Sequence, residues 1–143
     1  YNLLCENLRK FDTKPVHTLE ELIDFKTSRL EKIVRFFGSY YEQRMVAGSM
    51  AFMFGKKIFH TQYLAASQED LKLYPNNFND TKMIMLAQKE GFNYFSFGIS
   101  TEEHGHVLNM KLAQFKEGFG TQYFNNKIWH KDIDSVNGMT KDI

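Results

Sequence analysis

The sequence has one cysteine, one tryptophan, two prolines and no long hydrophobic run among its 143 residues. The single thiol, Cys5, excludes an internal disulfide and a zinc site built from several thiolates. The apolar runs are far shorter than the roughly 20 residues of a membrane-spanning helix, so we expect no membrane partner. The sequence has no large excess of charge of either sign, because its 18 basic and 17 acidic residues are interspersed and give a net charge of +1. Non-specific DNA binding needs a clustered basic face, so we expect no DNA partner.

Large apolar side chains are abundant: 43% of the residues are hydrophobic, and 14 are phenylalanine. Such a composition excludes wholesale disorder, and the length fits one domain, which we assign to residues 1–133, followed by a polar tail at 134–143. No basic, apolar leader opens the sequence, so we expect a cytoplasmic protein. Because the first residue is Tyr1 and not Met, we also expect the chain to be a piece of a longer one.

The first 30 residues predict two helices. Leu4, Leu8 and Phe11 are spaced to share one face of the first helix. Thr18, followed three residues later by Glu21, matches a capping box and predicts the start of the second helix there.

The middle of the chain predicts three strands joined by hairpins. Residues 33–41 are rich in β-branched and aromatic side chains, and residues 45–54 form an almost unbroken apolar run typical of a central strand. Gly55 suits the first position of a two-residue connection of type II′, Gly55-Lys56, after which a third strand runs through residues 57–66. We therefore predict an antiparallel three-stranded meander.

The rest of the chain predicts alternating helices and strands. They are a helix capped by Asn77 or Asp80 and ended by Gly91, a strand at 92–99, a helix at 108–119 and a strand at 121–130. The order α-α-β-β-β-α-β-α-β indicates an α/β (α+β) fold with a mixed sheet. In this sheet, the strands at 57–66 and 92–99 are predicted to run parallel, joined by a right-handed helical crossover.

Two short motifs lie in order on the predicted strand and helix: FSFGIS at Phe95–Ser100 and FKEGFG at Phe115–Gly120. Together with the element order, they resemble the GNAT acyltransferases, and within these the FemAB-like and BioF2-like branch. The first motif is similar to that branch's F-D-F-G-x-S strand ending, and the second to its F-K-x-x-F-G helix exit. The resemblance extends from Tyr1 to about Asp132. It implies transfer of an acyl group, from acetyl-CoA or another acyl-CoA, to the amine of a small molecule or peptide, without a metal.

Departures from the GNAT pattern keep alternatives open. GNAT acetyltransferases carry a glycine-rich Q/R-x-x-G-x-G/A loop, but residues 65–74 here contain no glycine. The usual first strand would lie upstream of Tyr1, and Ser96 stands where the branch has an acidic residue. One alternative is therefore a non-catalytic GNAT-like half-domain of a longer FemAB-type protein. Another is aminoacyl transfer from aminoacyl-tRNA, which the balanced charge disfavours because tRNA needs a basic track.

The candidate catalytic residues are His60, Gln62 and Lys116. His60 and Gln62 are expected to share one face of the third strand with Ile58 and Leu64, and a neutral histidine there can take the proton of an attacking amine. The alternative is a histidine hydrogen-bonded within a sheet face. The resemblance places Lys116 where Fem-type transferases are thought to hold a lysine near the reacting carbonyl. The alternative is a solvated lysine favoured by the helix dipole.

The candidate cofactor-binding residues are Asn77, Asn79 and Thr81. They lie at the predicted helix start, where free backbone N–H groups can hold a phosphate. The alternative is an ordinary capped helix, and the negative charges of Glu69 and Asp80 favour it. The cluster of acidic residues and histidines at 102–106 is interpreted as a polar loop without a metal.

The strand at 32–41 is expected to form an open edge of the sheet. Its Phe36, Tyr40 and Tyr41 would then face solvent beside unpaired backbone groups. Pairing with a second copy satisfies those groups, so we expect a homodimer through this edge.

Overall fold

The computed structural model describes residues 1–125, which belong to two compact units, Tyr1–Ile99 and the chain from Ser100 onward. The first unit contains two short helices, a four-stranded sheet and a longer helix. In chain order these are α1 (Asn2–Arg9), α2 (Leu19–Asp24), β1 (Val34–Tyr41), β2 (Arg44–Phe54), β3 (Ile58–Ala66), α3 (Pro75–Lys89) and β4 (Tyr94–Ser96). No helix among the described residues is long and apolar enough to cross a membrane.

The sheet has the order β1-β2-β3-β4. The pairs β1–β2 and β2–β3 are antiparallel, while β4 runs parallel to β3. Helix α3 forms the connection between the two parallel strands. The predicted mixed sheet, its meander and its parallel pair are confirmed.

Two local sequence signals are also confirmed. The Thr18 side chain accepts a hydrogen bond from the Glu21 backbone N–H, and the Glu21 carboxylate accepts one from the Thr18 N–H, which completes the capping box. Gly55 follows β2 with a φ of +59°, in the left-handed region that glycine adopts without strain. The connection has three residues and not the predicted two, since β2 ends at Phe54 and β3 starts at Ile58.

Each face of the sheet has its own apolar cluster. The cluster under α3 contains the buried residues Ala51, Met53, Phe59, Met83 and Ala87. The cluster on the opposite face, toward α2, contains the buried residues Leu22, Val34 and Met50, with Phe25, Leu30, Phe52 and Tyr63 partly buried against it. We call these surfaces the α3 face and the α2 face.

Strand β3 contains a β-bulge at Gln62. Met50 of β2 lies opposite Tyr63, and the next residue, Ala51, lies opposite Thr61, so Gln62 has no partner in β2. A bulge adds one residue to one strand and interrupts the alternation of side chains between the two faces.

The bulge places the neighbours of Gln62 differently from the prediction. His60 lies opposite Phe52, which packs on the α2 face, whereas Leu64 packs into the cluster on the α3 face. The predicted shared face of His60, Gln62 and Leu64 is therefore wrong, because strict alternation does not hold across the bulge.

Two predicted helix boundaries are also wrong. Helix α1 ends at Arg9, and Phe11, predicted to continue its apolar face, is 75% exposed in the turn that follows. Helix α3 begins at Pro75, not at a cap formed by Asn77 or Asp80. Proline has no N–H to leave unpaired and its φ suits a helix, so it is favoured at the first helical position.

Strand β1 is an edge of the sheet, as predicted. Phe36, Tyr40 and Tyr41 are 45%, 65% and 45% exposed, in agreement with the expected solvent-facing aromatic residues. The homodimer through this edge stays a prediction.

The second unit contains β5 (Thr101–Glu102), β6 (Val107–Leu108) and α4 (Met110–Glu117). The two short strands pair antiparallel, where the sequence predicted only a loop. Asn109 caps α4 by accepting a hydrogen bond from the Leu112 N–H. A last strand was predicted at 121–130, but residues 121–125 form no strand. The rest of that prediction and the predicted tail at 134–143 lie outside the described residues.

Candidate functional site

Strands β3 and β4 stay paired over three residues and then part. The pairs are Ile58 with Tyr94, Phe59 with Phe95 and His60 with Ser96. Strand β4 ends at Ser96, whereas β3 continues to Ala66. Beyond His60, the edge of β3 that faced β4 therefore pairs with no strand of the described sheet.

The other end of this stretch of β3 contacts α1. The Asn7 side-chain amide donates to the Ala66 carbonyl at 2.6 Å and accepts from the Ala66 N–H at 3.4 Å. The amide thus takes the place of a neighbouring strand at that residue. The unpaired stretch of β3 is limited to about residues 61–65.

His60 and Ser96 meet where the pairing of β3 with β4 ends. The Nδ1 atom of His60 lies 3.0 Å from the Ser96 Oγ, and both side chains are partly buried. The Gly98 N–H donates to the same Oγ at 3.3 Å, while the Thr61 hydroxyl donates to the Ser96 carbonyl at 3.2 Å. The histidine that the sequence singled out is therefore paired with a serine on the neighbouring strand.

Gly98 allows this close packing. Its φ is +68°, and a Cβ atom there would lie 3.4 Å from the Cε1 atom of His60. A larger residue would thus be strained in its backbone and would press on the imidazole. The glycine of the FSFGIS motif, Gly98, therefore has a physical reason in this geometry.

Ser96 is the residue that sequence reasoning missed. Its place in the motif was noted only as the loss of an acidic residue, whereas the structure shows its hydroxyl against His60. The predicted parallel pairing of the two strands could have identified Ser96. Aligning the two strands residue by residue would have placed it opposite His60. Gln62, the other candidate on β3, lies exposed at the bulge. The catalytic roles of His60 and Gln62 stay predictions.

The start of α3 offers donors for an anion. Its N-cap residue, Tyr74, makes no side-chain capping hydrogen bond, and no acidic residue lies in the first turn. Asn76 places its Oδ1 in a buried position with no hydrogen-bond partner among the described residues. The first N–H groups of a helix have no partners within the helix, so this end is suited to an anionic ligand.

Asn79 and Thr81 lie further along the helix than predicted. The buried Asn79 side chain accepts from the Ser39 hydroxyl at 2.9 Å and donates to the Ser49 hydroxyl at 2.5 Å. The Thr81 hydroxyl donates to the carbonyl of Asn77, one turn earlier. Asn79 therefore joins α3 to the sheet, and Asn77 alone of the three predicted cofactor residues remains in the first turn and exposed.

A second polar pair lies on the α2 face. The His17 Nδ1 is 2.6 Å from the hydroxyl of Tyr63, and the His17 ring packs edge-on against Phe25. Burial raises the pKa of Tyr63, and a hydrogen bond with the His17 backbone lowers it by less. The phenol is therefore protonated at neutral pH.

Lys116, in the second unit, lies in the last turn of α4 and is only 7% exposed. The alternative of a solvated lysine is thus wrong. A buried lysine needs compensation for the water it loses, so its position reflects more than the helix dipole. Its role toward a carbonyl or a phosphate stays a prediction.

Two surface grooves were found in the described residues, and neither is lined by His60 or Ser96. One is lined by the turn after α1, including Arg9 and Lys14, and the other by apolar residues of α2 and β1 such as Ile23 and Phe36. No group of three or more His, Cys, Asp or Glu residues in the described part of the chain is arranged to hold a metal ion.

No protein-family model and no curated protein sequence matches the chain. Solved structures do match. An aminoglycoside acetyltransferase from an uncultured soil metagenomic sample, in complex with sisomicin, aligns with a TM-score of 0.62 and 12% identity over 90% of this chain and 83% of its own. A possible acetyltransferase from Clostridium difficile 630 aligns with a TM-score of 0.63 and 12% identity over 92% and 88%. An aminoglycoside 6′-N-acetyltransferase complexed with coenzyme A aligns with a TM-score of 0.57 and 12% identity over 83% and 76%.

The chain has the GNAT fold. At such low identity the likeness establishes the fold alone, and the FemAB-like branch stays a prediction. In this GNAT fold, the pair His60–Ser96 stands where two parallel strands diverge.

Proposed function

We propose that the protein is an N-acyltransferase that moves an acyl group from acyl-CoA to the amine of a small molecule. The observation that carries the proposal is the divergence of β3 and β4 at His60 and Ser96. The pantetheine arm of CoA is a linear chain with two amides, so it can hydrogen-bond to an unpaired strand edge as another strand would. Its thioester would then lie beside the two residues.

The start of α3 supports binding of the donor's phosphates. The N–H groups of Asn76 and Asn77 lie in an uncapped first turn, and the helix dipole favours negative charge there. Because Asn79 is engaged with two serines, we assign the contact to the backbone of the first turn and not to the side chain of Asn79. A solved structure of the same fold is complexed with coenzyme A, which supports the class of donor.

The chemistry requires a base, since the acceptor amine must lose a proton as it attacks the thioester carbonyl. His60 is the titratable side chain at the divergence and is proposed for this step. Gln62, exposed at the bulge, is proposed to contact the substrates. Lys116 is proposed to stabilise negative charge on the reacting carbonyl oxygen or a donor phosphate.

The acceptor is proposed to be a small amine that approaches from the α2 face, where His60 and the His17–Tyr63 pair provide polar groups. The printed names of two neighbours identify aminoglycoside acetyltransferases, which supports an amine as the class of acceptor. Aminoacyl-tRNA is a poorer donor for this chain because its balanced charge provides no basic track.

The experiment is a titration of the protein with CoA, followed by thermal unfolding and calorimetry. A donor that binds only the folded state raises the melting temperature as its concentration rises. We expect Asn77→Asp to weaken CoA binding because it adds a negative charge beside the phosphates. The same change should stabilise the free protein by about 0.3–1 kcal/mol, because an acidic residue is favourable at a helix start.

The matched controls separate charge from the loss of an amide. Gln88→Glu adds the same charge near the other end of α3, at an exposed position, and should leave CoA binding unchanged. Asn77→Ala removes the side chain and keeps the N–H, and should bind CoA nearly as well. No response of the unaltered protein to millimolar CoA would contradict the proposal and favour the non-catalytic half-domain.

A further inference from the structure

We infer that the Asn7 side chain makes an autoinhibitory contact: it occupies the backbone groups of β3 that the donor's pantetheine arm would use, and the donor displaces it on binding. This inference rests on the proposed function, in which the arm hydrogen-bonds to the free edge of β3. It adds regulation to that site, because any change that withdraws Asn7 from β3 raises the affinity for the donor.

The contact of Asn7 with β3 imitates a paired strand. The Asn7 Nδ2 donates to the Ala66 carbonyl at 2.6 Å, and the Asn7 Oδ1 accepts from the Ala66 N–H at 3.4 Å. The partners fix the orientation of the amide, because a backbone carbonyl only accepts and a backbone N–H only donates. The same Nδ2 donates to the Leu3 carbonyl of α1 at 2.9 Å, which agrees with that orientation.

The Asn7 amide lies on the edge of β3 that faces away from β2. The N–H of Ser67, the next residue after Ala66, donates to the Val46 carbonyl of β2 at 2.9 Å. Because successive residues of a strand direct their backbone groups to opposite edges, those of Ala66 point to the other edge, on which β4 pairs earlier in the strand. Asn7 and a donor arm on this edge therefore require the same two backbone groups.

The existing hydrogen bonds use the full capacity of the Ala66 backbone. Its one N–H donates to Asn7, and its carbonyl accepts from Asn7 and from the Gln68 Nε2 at 3.3 Å, which fills both lone pairs. Ala66 is buried, so its backbone groups need a partner whether or not a ligand is bound. A secondary amide of pantetheine has one N–H and one C=O, so it can replace the Asn7 amide group for group.

The path of the donor passes Ala66. From His60, where the pairing with β4 ends, β3 extends to Ala66 over roughly 20 Å, at about 3.3 Å per residue. The start of α3 lies at the Ala66 end, because Asn79 in the second turn of α3 contacts Ser49, and Ser49 lies opposite Leu64. A donor with its thioester at His60 and its phosphates at the start of α3 therefore follows this edge to Ala66.

Helix α1 can release the contact because little else fixes it. The helix has eight residues, of which Leu4 alone is buried, and its N-cap residue, Tyr1, makes no side-chain capping hydrogen bond. Helices this short depend on tertiary packing for their stability. Rotation of the Asn7 side chain or a small shift of α1 frees Ala66, so the contact is suited to exchange with a ligand.

The test is calorimetric titration of the unaltered protein and of Asn7→Ala with CoA. We expect Asn7→Ala to bind CoA about three- to tenfold more tightly, because the ligand no longer has to displace a hydrogen-bonded amide. Adenosine 3′,5′-bisphosphate, which keeps the nucleoside and two phosphates but lacks the arm, should bind both proteins equally. Asn2→Ala, the same substitution at an exposed position of α1, should bind CoA as the unaltered protein does.

The unaltered protein gives a second readout that needs no variant. Saturation with CoA should shift the NMR signals of the Asn7 side-chain amide and speed its hydrogen exchange, while the Ala66 N–H stays protected because it changes from one partner to another. Asn7 signals that CoA does not move, with an Asn7→Ala variant that binds CoA no more tightly, would overturn the inference and leave the proposed function standing. Absence of CoA binding in both proteins would overturn both.

Discussion

The two faces of the central sheet are built from the same strands but differ in how they are covered. The α3 face lies under a helix of 15 residues and packs Phe59, fully buried, against several other aromatic rings. The α2 face lies under α2 and the helical turn Phe25–Arg29 that continues it, and it keeps polar groups, the His17–Tyr63 pair among them. The difference teaches that this fold concentrates its buried aromatic packing on one face of the sheet and keeps the His17–Tyr63 pair on the other.

The largest loss of stability is expected for a substitution on the α3 face, at Phe59. Its ring centroid lies 5.7 Å from that of Phe37, 5.5 Å from Phe92 and 5.2 Å from Phe95. Phe59→Ala should lower the free energy of unfolding by about 3–5 kcal/mol, since it removes transfer free energy and leaves a cavity. Urea denaturation followed by circular dichroism measures the change. Phe52→Ala, on the α2 face, should cost less, because Phe52 is only partly buried. Equal losses would contradict the comparison.

A smaller effect is expected at Asn79, which ties α3 to the sheet. Its buried amide bridges the hydroxyls of Ser39 and Ser49. Asn79→Ala should cost about 1–3 kcal/mol, because two buried hydroxyls lose a partner. Asn77→Ala is the matched control, an exposed asparagine of the same helix, and should change stability by less than about 0.5 kcal/mol. Chemical denaturation of both variants measures the free energy of unfolding. An Asn79→Ala variant as stable as the unaltered protein would show that the bridge does not hold the helix in place.

A smaller loss of stability is expected from removing the N-cap of α2, the helix on the α2 face. Thr18→Ala removes the side chain that accepts from the Glu21 N–H and should cost about 1 kcal/mol. Thr13→Ala, in the exposed turn after α1, removes the same atoms without a helix cap and serves as the control. Thermal and urea unfolding should separate the two variants; if they behave alike, the cap contributes nothing to the tertiary fold.

Signals carried by neighbouring residues were readable from the sequence, and those set by tertiary register were not. The capping box at Thr18 and the turn at Gly55 depend on a few consecutive residues, so both were predicted. The bulge at Gln62 was not, because no residue type marks it and its position follows from how two strands pair. The start of α3 was predicted at a cap formed by Asn77 or Asp80 and not at Pro75, because proline both ends helices and begins them.

The candidate site shows the same limit. His60 was predicted from its residue type and from the strand on which it lies. Its contact with Ser96 joins residues 36 positions apart, so it depends on the register of a parallel pair across a helical crossover. A one-residue slip in that register would turn Ser96 to the other face. Composition and periodicity do not fix such a register, and the serine therefore stayed hidden in its motif.

The smallest expected effect concerns the protonation of Tyr63 on the α2 face. Burial raises the pKa of Tyr63, so the folded protein holds the phenol proton more tightly than the unfolded chain does. The stability that comes with this difference is fully present below the unfolded pKa of about 10 and is lost as the pH rises through the folded value.

Tyr63→Phe should be less stable than the unaltered protein at pH 8, because it loses the hydrogen bond with His17. The gap should narrow toward pH 11, since phenylalanine has no proton to lose. Urea midpoints across this range measure it, with Tyr40→Phe, an exposed tyrosine of β1, as the control that should follow the unaltered protein. A stability difference between the two proteins that stays constant with pH would mean that the pKa of Tyr63 is the same in the folded and unfolded states.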